Sequence, residues 1–133
     1  MVVTIESTED LRNMIVNDKS PLILMAHSPL QIGRNREFWN ARVASYERRF
    51  RIRFATMDVD NPENSTARTS LLPEAGLKIH PAFLLKKANE DVFYRINSTS
   101  ADSVVIRARV QKAASFLAYP QDFPNGIDFN FHL

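Results

Sequence analysis

The 133-residue chain contains no cysteine. That absence excludes disulfides, thiolate nucleophiles and thiolate metal sites together, because each needs the sulfur. Imidazole is scarce, with His27, His80 and His132 as its only sources. No apolar run approaches the roughly 18 residues of a membrane span, and the opening stretch MVVTIESTED has no basic segment leading into an apolar one. The chain is therefore expected to be a soluble, cytoplasmic protein with no membrane partner. A formal charge of +2 is too small to demand a polyanion. Neither low-complexity tracts nor repeats interrupt the sequence.

What is present reads as one folded unit. A chain of this length buries a core without covalent staples, and 44% hydrophobic with 24% charged residues is ordinary for a globular domain. Residues 2–5 are a short β-rich run, and Ser7 with Asp10 forms a capping-box pattern ahead of Leu11, Met14 and Ile15 at helical spacing. PLILMA, residues 21–26, is continuously apolar and bounded by turn residues, which predicts a strand buried on both faces of a sheet. Trp39, Val43, Tyr46 and Phe50 recur at steps of three and four and predict a long amphipathic helix. RIRFATMDVD reads as a strand ended by Asn61-Pro62, since a proline biases the residue before it toward an extended or turn conformation.

Residues 63–72 are expected to be helical up to Pro73. PAFLLKK and DVFYRI, separated by ANE, suit an antiparallel hairpin. Thr99 and Asp102 repeat the capping-box pattern before the stripe Ile106, Val110, Ala113 and Leu117. The predicted order, β-α-β-α-β-α-β-β-α, is an α/β fold with a mixed central sheet and helices on both faces. The expected domain is 1–118, with an irregular C-terminal tail over 119–133 that is broken by Pro120, Pro124 and Gly126.

Two stretches of this order carry a resemblance to the thioredoxin-like family. Met57-Asp58-Val59-Asp60-Asn61-Pro62 is similar to the family's strand that ends in an acidic residue and Asn-Pro. GLKIHPAFLLKKANED matches a glycine, a proline five residues on, an apolar strand, a short turn and a second strand. The resemblance implies the thioredoxin-like fold, with Pro81 as a cis-proline facing the active site. It also implies that backbone groups of the preceding residue, here His80, pair with an extended peptide.

The departures from the family pattern bear on function. The Cys-x-x-Cys position falls within His27-Ser28-Pro29-Leu30-Gln31-Ile32, so thiol-disulfide exchange through a mixed disulfide has no sulfur to use. Recognition without redox chemistry is the expectation that remains: a peptide- or protein-binding adaptor or chaperone-like module. Its expected binding residues are His27, Ser28, Pro29, Leu30 and Ile32 on one side and Ile79, His80 and Pro81 on the other.

Two alternatives stand beside this one. In the first, His27 and His80 serve as an acid-base pair in a non-thiol enzyme. In the second, Arg48, Arg49, Arg51 and Arg53 bind nucleic acid, with Arg51 and Arg53 alternating along one strand face; interspersed Glu37 and Glu47 and the lack of any RNA-binding or zinc motif argue against it. Ser28 beside His27 lacks an orienting acid and an oxyanion motif, so it reads as a loop or cap serine. Asp58 and Asp60 read as a strand end entering a turn. No metal site and no cofactor are expected, because His27 and His80 have no nearby third ligand. Phe123, Phe129 and Phe131 in the tail either pack back on the domain or join a second copy in a homo-oligomer.

Overall fold

The run Leu22–His27 (β2) is buried along its whole length, and the other elements are arranged around it. The computed structural model describes residues 1–28, 35–72, 81–96 and 102–127. Around β2 lie β1 (Val3–Ile5), α1 (Thr8–Asn17), α2 (Asn35–Phe50), β3 (Arg53–Asp58), α3 (Ser65–Leu71), β4 (Ala82–Lys86), β5 (Phe93–Ile96) and α4 (Ser103–Ala118). The strand order is β1-β3-β2-β4-β5. β1, β3 and β2 run parallel, while β4 is antiparallel to β2 and β5 antiparallel to β4. The expected mixed sheet and terminal hairpin are therefore present.

Side chains alternate across the sheet, because successive residues of a strand point to opposite faces. Ile23 and Met25 join Phe54, Phe83 and Leu85 on the face covered by α2 and α4. Leu22, Leu24 and Ala26 join Ala55, Met57, Ala82 and Leu84 on the face covered by α1 and α3. Trp39, Val43, Tyr46 and Phe50 form the buried stripe of α2, as their spacing predicts. Full burial of a large side chain of this kind contributes about 1.5–3 kcal/mol, so packing against the sheet outweighs intrinsic propensity in holding α2.

The element ends show where local chemistry takes over. The Ser7 hydroxyl accepts from Asp10 N–H (3.1 Å) and caps α1, while the Asp10 carboxylate accepts from Glu6 N–H (3.3 Å). Asp102 caps α4 itself, accepting from Val104 N–H at 2.9 Å; it is the cap residue and not the third residue of a box begun by Thr99, which lies outside the described residues. β3 begins at Arg53, because Arg51 adopts a left-handed φ of 57° and closes α2 through its N–H to Glu47 O (2.9 Å). Arg51 and Arg53 therefore do not share a strand face. β5 starts at Phe93, since the turn before it includes Asn89 at φ 63°, whose N–H is held by Lys19 O (2.8 Å). Beyond α4 the chain makes a short turn at Pro120–Asp122, and Phe123 packs edge-on against Phe116. Phe129 and Phe131 lie outside the described residues.

Candidate functional site

Sheet register assembles the candidate site at the end of β2. His27 pairs with Asp58 of the parallel strand β3. On the other side Ala26 pairs with Ala82, so continuing that register by one residue sets the buried Pro81 opposite His27. Proline has no N–H to donate, which ends the ladder there. The row Asp58, His27, Pro81 thus lies along the edge of the sheet where the parallel strands end, on the face shared with α2 and α4. Loops at the carboxyl ends of parallel strands are the usual ligand position in α/β proteins.

His27 is 5% exposed, and among the described residues its Nδ1 has no hydrogen-bond partner. Burial holds its pKa below the usual histidine value; nearby Asp58 and Asp60 pull it upward, and Arg36 at the start of α2 opposes them. The imidazole is therefore neutral at pH 7, with a ring nitrogen available to accept or, in the other tautomer, to donate. A buried polar atom with no partner is uncommon enough to mark a position where another group can serve.

Ser28 follows the last residue of β2 and is tied to the turn after β3. Its hydroxyl, in a residue 2% exposed, donates to the Asp60 carboxylate. It is a tethering serine and not a nucleophile beside a base. Asp60 N–H in turn donates to Asp58 Oδ1 (2.9 Å), so the two acids form a turn after β3 in place of an open carboxylate pair. Val59 N–H donates to His27 O (2.9 Å) and fastens this turn to β2. The fully buried Asn64 completes the edge, its Nδ2 donating to Asp58 O (2.8 Å) and more weakly to Ile5 O (3.5 Å).

Of the residues expected to bind, His27, Ser28 and Pro81 are described, and register brings His27 and Pro81 together. Pro29, Leu30, Ile32, Ile79 and His80 lie outside the described residues, as does the peptide bond entering Pro81. Among the described residues no group of three or more His, Cys, Asp or Glu side chains is placed to hold a metal ion. No helix among them is long and apolar enough to cross a membrane.

The expected strand face of arginines is divided. Arg53 is occupied within the fold, donating to Ser20 O (3.0 Å) and Asp18 O (3.3 Å) and pairing with the Asp18 carboxylate (3.5 Å). At this far end of the sheet sits a residue that the sequence reading missed. Lys86 is 0% exposed, and its Nζ donates to Lys87 O at 3.2 Å. Burial lowers its pKa, as does neighbouring Arg53, against the pull of Asp91. The repeat Leu-Leu-Lys-Lys gives no sign of which lysine turns inward. Only strand alternation does, since Lys86 follows Ala82 and Leu84 on the α1/α3 face.

No family model and no curated protein matches the chain. Solved structures do. Chloroplastic thioredoxin z superposes with a TM-score of 0.61 at 17% identity, over 87% of this chain and 93% of that one. A thioredoxin from Fasciola hepatica gives 0.58 at 18% identity, over 84% of this chain and 98% of that one. A thioredoxin from Trypanosoma brucei brucei gives 0.57 at 18% identity, over 85% and 90%. At these identities the likeness is one of fold.

Proposed function

We propose that this chain, a thioredoxin fold with no thiol, acts by recognition: it binds an extended peptide or a partner protein at the sheet edge carrying His27 and Pro81. The observation that carries the reading is the Nδ1 of His27, buried without a partner among the described residues at the carboxyl end of the central strand and flanked in register by Asp58 and Pro81. A bound backbone N–H or hydroxyl supplies the missing hydrogen bond. Strand-like docking gives affinity through main-chain bonds, and side-chain pockets give selectivity. In this reading Ile79 and His80 offer backbone groups, Pro81 sets the bend, and Ser28, Pro29, Leu30 and Ile32 form the opposite wall.

Redox catalysis is not part of this role, because exchange requires an attacking thiolate and the sequence has none. The test is selection of peptides from a random displayed library by the purified protein, repeated with a His80→Ala, Pro81→Ala double variant of matched thermal stability. Enrichment of a common motif that the variant loses supports the proposal. The same motif enriched equally by both proteins contradicts it.

A further inference from the structure

Helices α2 and α4 carry six cations outside the core and two carboxylates, with a seventh cation, Arg109, buried, against a net charge of +2 for the whole chain. Their arginines are held in place. Arg42 and Arg107 stand 5.3 and 5.5 Å from the centroid of the same half-buried ring, Phe38, and Arg49 lies 4.9 Å from that of Phe50. Arg107 is further fixed by its Nε donating to Ser103 O at 3.3 Å. A guanidinium resting on an aromatic ring keeps its in-plane N–H fork free for a carboxylate or phosphate. No carboxylate pairs with Arg42, Arg49 or Arg107 among the described residues. One of the two acids, Glu47, is occupied by the Met1 ammonium (2.7 Å) and by Phe54 N–H (3.4 Å). One turn before Arg107, Val104 is 59% exposed.

We infer that this face docks an acidic segment of a partner protein, one that alternates carboxylates with apolar side chains. Carboxylates pair with the forks of Arg42, Arg49 and Arg107, and an aliphatic group covers Val104. The same features disfavour a nucleic acid. Stacked guanidiniums already occupy Phe38 and Phe50, so neither ring is open as a platform for bases, and a phosphate backbone has no use for an exposed valine. Arg42 and Arg49 are separated by seven residues of helix, about 10 Å, within the reach of neighbouring acids on one short peptide. The inference rests on the outward surface of α2 and α4 and is independent of the sheet edge at His27.

The test is fluorescence anisotropy of the full chain with three labelled probes of equal negative charge: a Glu-Glu-Leu repeat peptide, the same peptide with Ser for Leu, and a single-stranded oligothymidine. The expected result is tightest binding to the Leu-containing peptide. A weakening of about tenfold is expected in Arg42→Gln, Arg107→Gln, as for close interfacial charge pairs, with a smaller loss in Val104→Ser. Because Arg107 is partly buried, Arg42→Gln, Arg49→Gln is a second pair at exposed positions, and equal melting temperatures exclude misfolding. Absence of binding, equal binding by both double variants and the parent, or tighter binding to oligothymidine overturns the inference.

Discussion

The Ser28 hydroxyl donates a hydrogen bond to the Asp60 carboxylate, joining two residues 32 positions apart. The bond ties the end of the central strand to the turn after β3, so it holds one side of the candidate site in register. Ser28→Ala removes the donor, while Asp60, which is exposed, returns its carboxylate to water. The expected cost is about 1 kcal/mol, typical of a single hydrogen bond whose partner can be resolvated, read as a lower urea midpoint with an unchanged slope.

Acid sensitivity follows from His27. Burial depresses its pKa in the folded protein, so on acidification the unfolded chain takes up a proton at the ordinary value, near 6.5, before the folded chain does. Stability conferred by the neutral ring is complete above that value and is lost as pH falls from about 6.5 toward the folded-state pKa. Melting temperatures measured from pH 7.5 to 5 are expected to fall less steeply in His27→Gln than in the parent. Parallel curves would show that this imidazole does not stay neutral in the folded state.

Lys86 is a cost carried by the fold. Its ammonium is buried beside Arg53, and Asp91, the acid that pulls hardest on it, is exposed and already bonded to Lys19 at 2.9 Å. Lys86→Met keeps the volume and removes a desolvated charge, while the Lys87 carbonyl gives up the bond it receives from Nζ (3.2 Å). A gain of about 1–3 kcal/mol is expected, in line with exchanges of buried ionic groups for hydrophobes. Chemical denaturation measures it, and a loss of stability would mean that the acids around Lys86 outweigh its burial.

Arg51 closes α2 in a left-handed conformation that glycine adopts without strain. Arg51→Gly is expected to raise stability by about 0.5–1 kcal/mol, measured by thermal unfolding. A decrease would indicate that the long side chain of Arg51 contributes more than its backbone costs.

These sites also mark how far the sequence could be read. The unbroken apolar run at 21–26 and the spacing of Trp39, Val43, Tyr46 and Phe50 announce the central strand and its covering helix, because burial imposes a period on composition. The two segments around Asn61-Pro62 and Pro81 carry the family resemblance, and the strand order agrees with it. What escaped reading depends on conformation or on distant partners. Helix α2 closes on an arginine where a glycine would signal the stop, so the sequence pattern suggests a strand from Arg51 while β3 begins at Arg53. Ser28 and Asp60 meet only through strand register. Lys86 is buried by its parity along β4, which composition alone does not reveal. The sequence names His27 and Pro81 together, and the hydrogen bonds around them are not legible in it.

Recognition at the sheet edge is tested most directly by mapping amide chemical shifts while a library-selected peptide is titrated into the protein. The largest changes are expected at Ala26, His27, Ser28, Asp58, Val59 and Ala82, diminished when Pro81 is replaced by alanine. Changes confined to surfaces away from the end of β2, or unaltered by the Pro81 substitution, would contradict it.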